Sequence, residues 1–498
     1  MIKIKSIKFK DHKILGKKLE LDFCDKDGNP ADTIIIAGEN GTGKTTILEE
    51  IEKILTYQFS ENVIYTIINN DDIFKYDNKK FWKNNDEISY PFKVGTDFKK
   101  IFEDDFKEFK NLSNFLAPLY ATVNINFSPN TKIKKIGGDN TDINDDERKK
   151  FTDKTAENIK QLFADIINYD YKIKAEKYDE ISENIKQSKV KIEKVIKKIQ
   201  NEINTNLLLK MNRFKKVFNN KMFEGLEFEG IDNIDGNIEI LFKKNGEKIS
   251  IDDLSSGEKQ IVFRGAFLLR DKNALNGAVV LIDEPEISMH PKWQEKILGY
   301  YRDLFVDNDK KQTSQIIVST HSNFVIENAL KLDNFVIVAL QENNQPKKIM
   351  KNDGTFILPS VTAAEINYHV FDIVSIDYHI QLFGYFQSLM EDELSDKNGE
   401  KINMSINDVD NKIKSLLSEK VLQDSQGNAC KWIHSFVDKK GNPRTTIYNT
   451  ICCFIRNAID HPENLPNQNK KEYTKADLRY SIEILIELIN LAKQNRLN

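Results

Sequence analysis

Three groups of residues have the types and spacing to do chemistry. The first is Gly38-Glu39-Asn40-Gly41-Thr42-Gly43-Lys44-Thr45, which fits G-x-x-x-x-G-K-[ST]. Gly38, Gly41 and Gly43 let backbone amides curl around phosphate oxygens. Lys44 can reach the β- and γ-phosphates of ATP, and the Thr45 hydroxyl can ligate Mg2+. Asn40 and Thr46 lie in the same nucleotide-binding stretch. The second group is spread along the chain. Asp283 and Glu284 follow the apolar run Val279–Ile282, as a metal ligand and a general base would at the end of a buried strand. Ser256, Gly257 and Glu258 open a helix whose first amides can face an anion. His321, in Ser319-Thr320-His321-Ser322, follows another apolar run and can reach a γ-phosphate. Singly, an acidic turn, a helix cap or a histidine is ordinary structure. Their joint occurrence carries the reading.

The third group is Arg456-Asn457-Ala458-Ile459-Asp460-His461, just before Pro462. Its chemistry suits RNA cleavage, where the ribose 2′-OH is the nucleophile and no metal is required. His461 would be the general acid or base, Arg456 would stabilise the phosphorane, and Asn457 would orient one of them. A second reading stands beside it: Arg, Asp and His on a last helical turn also cap helices and dock partners.

Elements must position these groups. Met1–Phe9 alternates apolar residues with Lys as a half-buried strand does, and Thr33–Ala37 reads as a fully buried strand. Ile47, Leu48, Ile51 and Leu55 then mark an amphipathic helix. Leu241–Ile249 reads as a hairpin turning at Asn245-Gly246. Ala278–Ile282, Ile316–Ser319 and Phe335–Leu340 read as further buried strands. Residues 60–110 give no clear pattern, and Ala121–Phe127 alternates like a strand. Asp146–Lys221, rich in Lys, Glu and Ile without Pro or Gly, reads as helices. The Lys-rich part, Lys172–Lys216, is interleaved with Glu, as on a solvated helix. From Thr362 the chain reads as helical. Ala363–His369, His379 and Tyr385 form an aromatic connector, and Ile447, Ile451, Ile455, Ala458 and Ile459 share one helical face. Thr474 with Asp477 makes a capping box for the last helix.

Composition narrows the classes. With 498 residues, several domains are expected, and 30 Phe supply enough apolar surface to exclude wholesale disorder. No apolar run approaches the roughly 18–20 residues of a membrane helix. The four cysteines are not framed for disulfides or zinc. A cytoplasmic protein with no membrane partner is expected. The net charge of −4 does not argue for wholesale nucleic-acid binding, although a compact basic pocket would barely alter it.

Taken in order, the Gly38–Thr45 loop, Leu254-Ser255-Ser256-Gly257-Glu258-Lys259-Gln260, Asp283–Glu286 and Ser319–Ser322 resemble the ABC-type ATPase head. The stretch Asp283–Gln294 and the helical insertion resemble the OLD/SMC-like soluble ATPases of bacterial defence and repair. The resemblance covers Met1–Gln58 and Leu226–Leu340. It implies an α/β fold: a P-loop head with a mixed sheet and a helical insertion, followed by an all-α C-terminal domain. The expected division is head at 1–60 and 222–345, insertion at 61–221, and effector or partner-binding region at 346–498. It also implies a homodimer with two sandwiched ATP molecules. Ser256 and Gly257 of one subunit would then serve the ATP on the other, and Ser288–His290 would communicate between the sites. The glutamine that such heads place on the metal has no good counterpart, since Gln58 and Gln161 both fit poorly.

The segment Arg456–His461 resembles the HEPN ribonuclease motif, and the whole architecture resembles PrrC-type anticodon nucleases. The function implied is an ATPase that switches an RNA-cutting effector, with tRNA as the target, in abortive infection against phage. The alternatives are an ATPase subunit controlling a separate nuclease or toxin, as in Septu or retron-linked systems, and an SMC-like DNA-repair ATPase.

Overall fold

The computed structural model describes residues 2–55, 62–69, 71–77, 80–88, 119–121, 162–163, 166–167, 169–175, 179, 209–234, 237–269, 277–341, 346–417, 425–427, 432–437, 440–460 and 473–497. It forms two compact units, Met1–Lys351 and Asn352–Asn498.

The first unit runs β1 (Ile2–His12), β2 (Gly16–Asp22), β3 (Thr33–Gly38), α1 (Lys44–Leu55), β4 (Val63–Asn69), β5 (Asp72–Asp77), β6 (Lys80–Lys83), β7 (Asp86–Ile88) and β8 (Leu119–Ala121). It continues with α2 (Lys210–Lys221), β9 (Leu226–Ile234), β10 (Asn237–Lys244), β11 (Glu247–Ser250), α3 (Ser256–Leu269) and β12 (Val279–Asp283). Then follow α4 (Pro291–Asp303), β13 (Gln315–Thr320), α5 (Asn323–Leu330), β14 (Phe335–Leu340) and β15 (Lys347–Met350).

A six-stranded sheet of order β15-β14-β3-β13-β12-β8 forms the centre of this unit. All its pairings are parallel except β14 with β15. Every residue of β3, β12, β13 and β14 is buried. Continuous apolar runs of this kind suit a parallel sheet covered on both faces. Helix α1 buries Ile47, Leu48, Ile51 and Leu55 in the same core. The register pairs Asp283 with Ser319 and Thr320 with Ala37, so the loops after β3, β12 and β13 leave the sheet side by side. Loops at the carboxyl ends of parallel strands are where such sheets bind ligands.

A second, antiparallel sheet has the order β2-β1-β4-β5-β6-β7. It passes residue 60 into the segment expected to be insertion, because β4 pairs with β1 from Val63 to Asn69. Residues Val63, Tyr65 and Ile67 alternate into the core, a period hidden in the sequence because the intervening Ile64 and Ile68 are apolar too. Of the helices expected over Asp146–Lys221, α2 is described. Gln58, Gln161, Asp139–Asp146, the 122–127 part of the expected strand and most of residues 172–208 lie outside the described residues. The expected hairpin forms from β10 and β11, and Asn245 and Gly246 have φ of 53° and 94°. Two left-handed residues are what a type I′ turn demands.

The second unit contains α6 (Ala363–Phe371), α7 (Ile376–Asn398), α8 (Ile406–Leu417), β16 (Trp432–Val437), β17 (Pro443–Tyr448), α9 (Ile451–Asp460) and α10 (Lys475–Leu497). Helices carry its core, but the all-α expectation needs one amendment: β16 and β17 form an antiparallel hairpin. Ile447 therefore does not extend the α9 stripe. It lies in β17 and is 60% exposed, whereas Ile451 and Ile455 are buried. Helix α9 starts only after Asn449 and Thr450 are tied to Asp410, through Asn449 N at 2.7 Å and Thr450 Oγ1 at 2.7 Å. The capping box of α10 is present: the Asp477 amide donates to Thr474 Oγ1 at 3.1 Å, and the Thr474 amide donates to Asp477 Oδ2 at 2.9 Å.

Candidate active site

The loop after β3 turns at Gly41 (φ 86°) and Gly43 (φ 92°), and the first amides of α1 follow directly. The first amides of a helix have no intrahelical partner, and they sit at the positive end of its dipole. Lys44 is buried, and its ammonium donates to the carbonyls of Gly38 at 2.9 Å and Glu39 at 3.0 Å. Asn40 is exposed on this loop, and Thr46 is half-buried in the first turn of α1. Thr45 Oγ1 donates to Asp283 Oδ1 at 3.2 Å, so the two expected metal ligands already touch. Among the described residues, no group of three or more His, Cys, Asp or Glu could by itself hold a metal. One hydroxyl and one carboxylate fit Mg2+, which fills most of its shell with water and phosphate oxygens.

Asp283 is buried, and burial raises its pKa above the ordinary carboxylate value. Hydrogen bonds from Ser319 and Thr45 oppose that rise, and the Glu284 charge adds to it. Glu284 has φ 40°, a backbone that a non-glycine residue adopts only when its surroundings hold it. Three bonds hold it. Its amide donates to the Ser319 carbonyl at 3.1 Å and to Ser319 Oγ at 3.0 Å, and its carbonyl accepts from Arg264 Nη1 at 3.2 Å. The Glu284 carboxylate lies 3.5 Å from Lys44 Nζ and 3.5 Å from His321 Nδ1. Lys44, Thr45, Asp283, Glu284 and His321 are thus brought into one cluster.

Ser256 is exposed at the start of α3, while Gly257 and Glu258 are buried. A Cβ on Gly257 would meet the Ser288 carbonyl at 3.0 Å and the Trp293 ring at 3.0 Å. The helix start therefore packs against the Ser288–His290 loop. Glu258 is a helix-capping anion: Oε2 accepts from the Ser255 amide at 2.8 Å, and Lys244 Nζ lies 2.9 Å from Oε1. Burial alone would raise its pKa, but Lys244 and Ser255 bring it below the ordinary value.

The C-terminal candidates stand differently. Arg456 pairs with Asp460 one turn on, and its guanidinium lies 5.7 Å from the Phe383 ring centre. Asn457 is buried on α9. His461 lies outside the described residues.

The sequence reading missed Ser319, Glu286 and Arg264. Ser319 Oγ also donates to Asp283, and Glu286 Oε1 accepts from Thr320 Oγ1 at 2.6 Å. The only signal for Glu286 was its place in Asp283–Glu286. Arg264 offered none beyond being a charged residue in an apolar helix.

Residues 34–327 match the family described as "AAA domain, putative AbiEii toxin, Type IV TA system". The chain belongs to this family. It is an ATPase, and no helix among the described residues is long and apolar enough to cross a membrane. It is similar to the "Retron Vc95 probable ATPase" of Vibrio cholerae serotype O1 biovar El Tor, 27% identical over 387 residues, covering 65% of this chain and 71% of that protein. It is also similar to the "Retron Ec83 probable ATPase" of Escherichia coli, 27% identical over 133 residues, covering 25% of this chain and 23% of that protein. Among solved structures, the SMC head domain from Thermotoga maritima matches at 16% identity and TM-score 0.33, covering 70% of this chain and 98% of that one. The Smc head with an extended coiled coil, bound to the C-terminal domain of ScpA and derived from Pyrococcus furiosus, matches at 18% identity and TM-score 0.32, covering 70% and 96%.

Proposed function

We propose that this ATPase is the nucleotide-driven switch of a bacterial anti-phage system and acts as a homodimer. The cluster of Lys44, Thr45, Asp283, Glu284 and His321 carries the reading. Gly38, Asn40, Gly41, Gly43, Lys44 and Thr46 hold the ATP phosphates. Thr45 and Asp283 hold Mg2+, which when bound neutralises phosphate charge. Glu284 takes the proton of the attacking water as that water bonds to the γ-phosphorus, and ADP leaves. His321 steadies the γ-phosphate. Ser256, Gly257 and Glu258 form the segment that meets the partner's ATP, and Ser288–His290 relays its presence. The exposure of Ser256, with Gly257 packed on Ser288, supports that arrangement. In Glu284→Gln the base is lost while nucleotide contacts remain. With Mg2+ and ATP this variant should elute as a nucleotide-loaded dimer and turn over ATP at least about 100-fold more slowly. Parental turnover, or a monomer with ATP bound, would refute the base or the dimer respectively.

The switch controls a ribonuclease of the HEPN kind in the C-terminal region, with Arg456, Asn457 and His461 acting on RNA, tRNA being the favoured substrate. The placement of Arg456 and Asn457 on α9, a helix packed into the core of this unit, supports it. Cells expressing the parent should show discrete RNA fragments that Arg456→Ala and His461→Ala abolish. A second reading is favoured by the retron names of the relatives: the C-terminal unit holds a separate effector nuclease or toxin. Intact RNA with a co-purifying companion protein from the native locus would select it.

A further inference from the structure

Of the carboxylates in Asp283-Glu284-Pro285-Glu286, Glu286 has no part in the chemistry above. It is 3% exposed, and burying a carboxylate is costly unless the charge is used. Its two oxygens are unequal. Oε1 accepts from Thr320 Oγ1 at 2.6 Å and from the His321 amide at 2.9 Å, while buried Oε2 has no hydrogen-bond partner. A neutral side chain could accept the same two bonds without the cost of a charge. The charge therefore needs another reason, and His321 supplies it. His321 Nδ1 stands 3.5 Å from Glu286 Oε1 and 3.5 Å from Glu284 Oε1.

We infer that Glu286 is a positioning residue for His321, fixing both the backbone of its turn and the orientation of its ring. The inference rests on the ATPase reading of this site. Two anionic oxygens on Nδ1 settle which ring edge faces inward, and the opposite nitrogen, Nε2, is then presented to the reacting phosphate. The side chain of His321 is 41% exposed, so packing alone does not set its rotamer. The far side of the turn is tied independently: Ser322 Oγ donates to Gln294 Oε1 at 2.7 Å, and Gln294 Nε2 donates to the Met289 carbonyl at 3.1 Å. Glu286 thus contributes the charge, and Gln294 contributes a neutral brace.

Glu286→Gln separates the two functions, since the amide oxygen can still accept from Thr320 and His321 while the charge is gone. In the full-length chain with Mg2+ and ATP, kcat should fall about 10-fold with KM for ATP changed less than about 2-fold, because the ring matters to the transition state more than to ground-state binding. Glu286→Ala removes the acceptor too and should cost about 100-fold. In a His321→Ala background, Glu286→Gln should cause no further loss, which a merely structural role would not produce. Parental kcat in Glu286→Gln, or an equal loss with and without His321, would overturn the inference alone. A parent chain that turns over no ATP would overturn the reading of the site and this inference with it.

Discussion

Replacing Ser319 with alanine tests whether the strand pairing that builds the site also tunes its chemistry. Ser319 is fully buried on β13, and its hydroxyl does two things. It donates to Asp283 Oδ1 and accepts the Glu284 amide at 3.0 Å. Alanine keeps the second link in part, because the Glu284 amide also reaches the residue-319 carbonyl at 3.1 Å. The net loss is one hydrogen bond to a buried carboxylate, about 1.5–3 kcal/mol. Expressed wholly in the transition state, that is about 10- to 150-fold in rate. Thr45 Oγ1, at 3.2 Å, still reaches Asp283, so the carboxylate should turn rather than leave. Losing a bond that opposes the effect of burial should also raise the Asp283 pKa further. Steady-state ATP turnover titrated with Mg2+, alongside urea unfolding, reads both consequences. The expected result is a higher half-saturating Mg2+ concentration or a lower kcat within that range, together with reduced stability. If stability falls by the full amount while turnover and Mg2+ dependence stay parental, the bond serves only the fold and the argument about Asp283 is wrong.

Three further outcomes follow from other parts of the molecule. In Gly38→Ala a Cβ would stand 2.9 Å from the Leu340 carbonyl oxygen, backbone that cannot swing aside, so the loop should shift and ATP affinity should drop by about 1–3 kcal/mol in fluorescent-nucleotide titrations. His379 is fully buried, and burial first, then the Arg456 charge, pushes its pKa down to about 3. The native state thus binds fewer protons than the unfolded chain between about pH 6.5 and 3, so the contribution to stability is complete above that window and is lost as pH falls through it. Going from pH 7 to 5 should cost the parent about 2 kcal/mol more than His379→Gln in urea unfolding, and equal pH dependence would count against it. Thr474→Ala removes the cap of α10 and should lower stability by about 1 kcal/mol in the same assay, with no change in ATP turnover.

The phosphate loop was legible because its chemistry is local. A wholly apolar run must be a covered strand, and glycines spaced as Gly38, Gly41 and Gly43 leave few uses other than wrapping an anion. Asn245-Gly246 likewise prescribes its own turn. What failed to show was structure whose partner lies far along the chain. Strand β4 is apolar on both faces and shows no alternation, β5–β7 are short and broken by Asp and Lys, and all four gain their meaning from β4 pairing with β1 and each later strand with the one before it. Trp432–Val437 and Pro443–Tyr448 are separable from helix only once they pair, and that pairing moved Ile447 off the α9 face.

The same division runs through the site. Sequence alone singled out Lys44, Thr45, Asp283, Glu284 and His321 as the candidate reactive groups, since each sits in a short motif whose neighbours give it a strand end or a helix start. It could not determine who holds them. Ser319 matters because β12 and β13 are parallel neighbours in a register that sets it opposite Asp283. Arg264 matters because α3 brings a guanidinium to the Glu284 carbonyl, and Glu286 because two adjacent strand ends put it under His321. Side chains that touch only across elements leave no spacing in the chain to read. Their meaning is set by sheet order and register, which arise from burying all the strands at once.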